Sequence, residues 1–130
     1  MSTITLVTGA EGFAGSHLVD LLQSRGTPLV AWHRPGKTPH HAGGQTWEAV
    51  ELLDRSAVRD AIARLRPAVV YHCAGAAHVG QSWDNTTSTF ETNVRATHFL
   101  LDALERAEVA ARVLIPSSAL VYAPAERALT

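Results

Sequence analysis

Gly9, Gly12 and Gly15 recur at intervals of three within "LVTGAEGFAGSHLVDLL" (residues 6–22), where an apolar run gives way to a helix-like run. The start of a helix carries unpaired N–H groups and a partial positive charge, which suits a phosphate. A diphosphate can reach those amides only where the main chain is bare. Gly9 would permit the tight turn off a strand, Gly12 the approach of the diphosphate, and Gly15 close packing of the helix on the sheet. The spacing is Gly-x-x-Gly-x-x-Gly, not the G-x-G-x-x-G of the common dinucleotide fingerprint. Glycines that merely punctuate a turn are the alternative. The corner's place between a first strand and a first helix favours the phosphate site.

Such a corner works only if strands and helices alternate around it. Ile4 to Val7 has the composition of a strand buried on both faces. Ala14, Leu18, Leu21 and Leu22 repeat as one face of a helix that Gly26 can stop. Pro28 to Trp32 predicts a second strand, residues 34–46 a loop rich in proline and glycine, and Trp47 to Glu51 a short third strand. Asp54 can cap a helix carrying Val58, Ile62 and Leu65, which Pro67 ends. "AVVYHCAG" is a fourth, buried strand closed by Gly75. A polar loop with Ser82, Asp84 and Asn85 leads into a longer helix, where Phe90, Val94, Thr97, Leu101 and Leu104 hold helical spacing. Trp83 is expected to pack that loop down. "RVLIP" is a fifth strand, and "SSALVYAPAERALT" trails off. The alternation predicts right-handed βαβ units in an α/β, doubly wound parallel sheet of the Rossmann type, with strand order 3-2-1-4-5.

Bulk properties narrow the function classes. The 130 residues suffice for one domain with a core. Eleven basic and twelve acidic residues nearly cancel, which gives no basic field for nucleic acid and no charged tail. No apolar run approaches the ~20 residues that span a bilayer, and no signal peptide is recognisable at the N-terminus. A single cysteine, Cys73, excludes an intrachain disulfide and fits a reducing compartment. The expectation is a cytoplasmic protein without membrane or nucleic-acid partners. The seven histidines show no metal-ligand spacing; His33, His72, His78, His98 and the pair His40-His41 are expected to be structural or surface residues, with no metal site.

"TGAEGFAGSHL" resembles the extended short-chain dehydrogenase/reductase family, the NAD(P)-dependent sugar-nucleotide epimerases, dehydratases and reductases. The likeness continues in order through "VELLDRSAV", "VYHCAGAAHVGQSW", "ETNVRATHFLLDA" and "IPSSALVY", so it covers nearly the whole chain. Within the family the chain is most similar to the GDP-mannose dehydratase and GDP-4-keto-6-deoxyhexose reductase branch. The resemblance implies an NAD(P) cofactor, with Phe13 and Ala14 joining the three glycines around it. Family members place a carboxylate at the end of the second strand for the adenosine ribose. His33-Arg34 stands there instead; a guanidinium can grip a 2′-phosphate that a carboxylate would repel, which inclines the expectation to NADP. A solvated surface arginine is the alternative. Glu51-Leu52 resembles the pair that holds adenine, with Glu in place of the usual Asp. Ala74, Gly75 and Ala77 resemble the small residues that leave room for the nicotinamide ribose, or a plain turn. Asn93 resembles the family asparagine that faces the cofactor; a structural hydrogen bond would explain it as well. Ser118 resembles the catalytic Ser/Thr, with Ser117 beside it.

The family's acid/base is a Tyr with a Lys four residues later. Tyr71 is followed at that distance by Gly75 and Tyr122 by Glu126, and the only lysine, Lys37, is in a loop. Residues 1–130 are therefore expected to be the N-terminal, cofactor-binding part of such an enzyme, without the Tyr segment or the substrate domain. The parent would act on a nucleotide-sugar, transfer hydride at a hexose ring carbon, and be compatible with a homodimer. A non-catalytic NAD(P)-binding sensor or interaction module is the alternative.

Overall fold

A computed structural model describes residues 3–37, 46–118 and 121–128. Its five strands are β1 (Thr5–Thr8), β2 (Leu29–His33), β3 (Thr46–Ala49), β4 (Val69–His72) and β5 (Arg112–Leu114). They pair in parallel in the predicted order β3-β2-β1-β4-β5. All four residues of β1 are buried, as its central position requires. Side chains alternate between two cores. Leu6, Val30, Trp32 and Val70 point toward helices α2 (Arg55–Leu65) and α5 (Ala96–Arg106), where they meet Val58, Ile62, Leu65, Leu100 and Leu104. Val7, Leu29 and Ala31 point the other way, toward Val19 and Leu22 of α1 (Phe13–Ser24).

Strand positions agree with the sequence to within one or two residues; β2 begins and ends one residue late, and β3 stops at Ala49 rather than Glu51. Gly26 ends α1 as expected, at φ +67°, with the Gly26 and Thr27 amides donating to Gln23 and Leu22. Asp54 caps α2, its Oδ1 accepting from the Ala57 amide at 3.0 Å. The pair His40-His41 lies outside the described residues.

Three expectations are corrected. The buried face of α1 is Gly15, Val19 and Leu22 with Leu18 half-buried, while Ala14 is exposed and Leu21 is 46% exposed. A glycine scores nothing in a hydrophobic pattern, yet Gly15 is where the helix touches the Gly9–Ala10 turn after β1, and that contact rotates the face. The loop through Ser82 is instead a short helix, α3 (Val79–Asp84), in which the Ser82 hydroxyl donates to the His78 carbonyl. Asn85 then caps α4 (Thr86–Phe90), and Trp83 is 80% exposed rather than packed down. The long helix beyond is interrupted by one wide π turn, Glu91–Arg95. Downstream of it the buried face is Ala96, Phe99, Leu100, Ala103 and Leu104, so Phe90, Val94 and Leu101 face outward. The wide turn breaks the 3.6-residue period on which the expected stripe depended.

Candidate functional site

The carboxyl ends of β1, β2 and β4 open into one cleft of about 450 Å3, at the point where the strand order reverses. This is where ligands bind in doubly wound sheets, and the volume is within the range of small-molecule sites. Its floor is the glycine corner. Gly9 turns off β1 at φ +61°, and a Cβ there would stand 2.5 Å from the Ala74 nitrogen. A Cβ on Gly15 would collide with the Gly9 carbonyl, and one on Gly12 would come within 3.2 Å of the Gly9 oxygen. The main chain of three segments therefore meets without side chains between. Helix α1 starts at Gly12 with no side-chain cap and no acidic residue in its first turn. Its leading amides remain available to an anion.

The cleft gathers many of the residues singled out in the sequence: Gly9, Gly12, His33, Arg34, Glu51, Leu52, Ala74 and Gly75. Arg34 makes no ion pair among the described residues, whereas five other arginines do. One Glu51 carboxylate oxygen accepts from the Leu53 amide at 3.1 Å, which steadies the turn after β3. The other expected residues do not line the cleft. Gly15 instead packs against Gly9 and Ala10, the turn that follows β1. Phe13 is 86% exposed, with its ring edge-on to His17. Ala14 and Ala77 are also exposed. The Asn93 amide is engaged by the main chain of Ala76: Oδ1 accepts from its N–H at 2.7 Å and Nδ2 donates to its carbonyl at 3.2 Å. Ser118 follows β5, exposed, with its carbonyl accepting from the Val121 amide.

Sequence reasoning missed other lining residues: Glu11, Trp32, Val50, Leu53, Cys73, Ser88, Thr92 and Ala96. Ser88, Thr92 and Ala96 stand four apart, so a stripe of small residues on one helical face was the available signal. Trp32 carried no signal beyond its bulk; it is buried, and its indole N–H has no partner among the described residues. Burial pushes the Cys73 thiol up, which keeps it un-ionised at neutral pH. Behind the cleft, burial lowers the His72 imidazole to about 4. Among the described residues no group of three or more His, Cys, Asp or Glu could hold a metal ion, and no helix is long and apolar enough to cross a membrane.

Bare glycines under an uncapped helix, an acceptor and an apolar wall beyond β3, and a guanidinium without an ion pair beyond β2 fit a dinucleotide stretched across the switch point. Comparison with known proteins agrees. The chain is 34% identical over 127 residues to the dTDP-4-dehydro-6-deoxy-D-allose reductase of Streptomyces bikiniensis, covering 92% of this chain and 39% of that protein. It is 32% identical over 126 residues to the UDP-glucose 4-epimerase of Erwinia amylovora, covering 90% and 37%. Among solved structures, MoeE5 in complex with UDP-glucose and NAD superimposes with a TM-score of 0.81 at 34% identity, over 96% of this chain and 40% of that one. The UDP-glucose 4-epimerase of Thermus thermophilus, in complex with NAD, gives 0.74 at 33%, over 82% and 35%. The chain thus spans roughly two fifths of the length of these relatives, on their cofactor-binding side. A family model described as the NAD dependent epimerase/dehydratase family matches residues 5–129, nearly everything from β1 onward, and with the glycine corner and the cleft already in place the chain belongs to that family.

Proposed function

We propose that this chain is the cofactor-binding portion of an NAD(P)-dependent enzyme that epimerises, dehydrates or reduces a nucleotide-sugar. The observation that carries the reading is the cleft itself, floored by main chain at Gly9, Gly12 and Ala74 and opening at the switch point. The leading amides of α1 would hold the diphosphate. Glu51 and Leu52 would hold adenine between an acceptor and an apolar wall. Ala74 and Gly75 would leave room for the nicotinamide ribose. When bound, the nicotinamide supplies hydride transfer. Phe13, Ala14 and Ala77, all exposed, would also contact the bound cofactor. Ser118 would hydrogen-bond the sugar oxygen at the reacting carbon.

Arg34 supports NADP over NAD. Arg34 lines the cleft and makes no ion pair among the described residues, and a guanidinium can grip a 2′-phosphate. The single cysteine supports a cytoplasmic location, and the sugar reading is compatible with a homodimer of the parent enzyme. The relatives above are named for dTDP- and UDP-sugars, so these are tested beside the GDP-sugars that the resemblance suggests. A second reading is a non-catalytic NAD(P)-binding module.

Titration of the chain with NAD and NADP tests the reading. Binding of either, with Arg34→Asp weakening NADP about tenfold or more and NAD little, is the expected result. Equal loss for both would remove the phosphate-gripping role of Arg34, and no binding to folded chain would remove the cofactor reading. The reading frame past residue 130 separates the two alternatives: a Tyr-x-x-x-Lys there predicts turnover of a nucleotide-sugar, and its absence predicts binding alone.

A further inference from the structure

His72 is buried at the end of β4, and its register partner across the ladder is Thr8, the last residue of β1. Its Nδ1 is 2.7 Å from the Thr8 hydroxyl, and its Nε2 is 2.9 Å from the Thr97 hydroxyl of α5. Both hydroxyls have further duties. Thr97 donates its one proton to the Asn93 carbonyl at 2.8 Å. It can therefore only accept from the imidazole, so Nε2 carries the proton. In a neutral ring Nδ1 is then an acceptor and takes the Thr8 proton. The Thr8 oxygen is left to accept from the Ala74 amide, which it does at 3.3 Å. On the far side the Asn93 side chain clasps Ala76 through both its amide atoms.

The contacts form a ring: Ala74, Thr8, His72, Thr97, Asn93, Ala76. It starts and finishes on one turn, and each hydrogen has a single direction. That turn walls the cleft through Ala74 and Gly75, and its Ala74 nitrogen lies directly over Gly9. A Cβ added to Gly75 would stand 3.0 Å from the Asn93 oxygen, so the turn has little slack on that side either.

We propose that His72 is a positioning residue for the cofactor cleft, held as the neutral Nε2–H tautomer and closing a directed hydrogen-bond ring that sets the Ala74–Ala76 turn against the glycine corner. The inference rests on the cofactor reading above. The lowered affinity of His72 for protons agrees with a ring that must stay neutral. A histidine is suited to the place because it alone offers a donor and an acceptor at opposite ends of one rigid ring.

The test uses the 130-residue chain. Long-range proton–nitrogen spectra of the imidazole at neutral pH report the tautomer without any cofactor, and Nε2–H is expected. Thr97→Val keeps the shape of the side chain and removes its hydroxyl; Thr97→Ser restores it. The valine variant is expected to stay folded, to exchange the Ala74 and Ala76 amides faster, and to bind NAD or NADP about three- to tenfold more weakly, the scale of one buried hydrogen bond. The serine variant is expected to recover both. Finding Nδ1–H, or a charged ring at neutral pH, overturns the proposal even if Thr97→Val cannot be purified. So does a folded valine variant with unchanged exchange and unchanged affinity. Wild-type chain that binds neither nucleotide overturns the cofactor reading, and this use of the ring with it, whatever the tautomer; wild-type binding with an indifferent valine variant sinks this inference alone.

Discussion

Helix α1 covers one side of the sheet and helices α2 and α5 the other, and the two sides are held by different means. Under α1 the decisive contacts are main chain on main chain: Gly15 against Gly9, and Gly9 against Ala74. Under α2 and α5 they are large side chains, Trp32, Ile62 and Leu100 among them, all essentially without exposure. The rim of that second side is laced by charge, with Arg55, Arg59 and Arg106 converging on Asp102. The hydrogen bond from Arg106, with those from Arg59 and Arg55, holds the Asp102 carboxyl well below the usual carboxylate range. The bare main chain on the α1 side floors the cleft, while Trp32, Val50 and Leu52 of the other side line it. Approach of a ligand to amides requires side chains to be absent, so binding capacity and packing are in competition there.

The comparison can be broken in order of effect. Gly15→Val should be the most damaging change, costing about 4 kcal/mol or more, because its Cβ meets backbone that cannot yield; urea unfolding measures it. Survival of a stable chain would mean α1 is free to lift. Ile62→Ala, on the other side, should cost about 3 kcal/mol by leaving a cavity, while the folded fraction keeps its nucleotide affinity. Loss of affinity there would show the two sides to be coupled.

Acid should act between the sides, at His72. Its folded-state value is lowered from 6.5 to about 4, so the unfolded chain binds the proton more readily. The stability from keeping it neutral is complete above pH 6.5 and falls away as pH drops from there to about 4, by about 3 kcal/mol at most. Melting temperature against pH should show that slope, and it should persist in Thr97→Val, because burial lowers the value and Nε2–H is present in both charge states. Gly12→Ala should cost less stability, about 1 kcal/mol, since its Cβ stops 3.2 Å from the Gly9 oxygen, yet weaken nucleotide binding about tenfold. Smallest of all, Arg64→Ala breaks an exposed pair with Glu48 and should cost about 0.5 kcal/mol.

The same contrast explains what was legible in the sequence. The α2 helix announced itself through Asp54, Val58, Ile62 and Leu65, because its packing is made of side chains that recur with the helical period. The face of α1 did not, because its key contact is a missing side chain at Gly15. The stripe on α5 was misread for another reason: the π turn at Glu91–Arg95 shifts the phase, and nothing in the residue types marks an extra residue per turn. In the cleft, Gly9 and Gly12 could be chosen by type and spacing, Arg34 and Glu51 through the family resemblance. Trp32 reaches the cleft only through the sheet's geometry, and the small-residue stripe of Ser88, Thr92 and Ala96 was readable but passed over. The ring through His72 was equally hidden, since it joins β1, β4 and α5 across long stretches of chain.

The order in which strands find each other follows from β1 standing in the middle of the sheet. Leu6 meets Val30 after a single short crossover, but its other neighbour, Val70, arrives only once β3 and α2 have been made. A nascent chain must therefore carry a half-paired strand, destined for complete burial, while the intervening segment emerges, and non-local closure of this kind slows the search for the native arrangement. During synthesis that waiting strand, rather than either outer edge, is the surface in need of shelter.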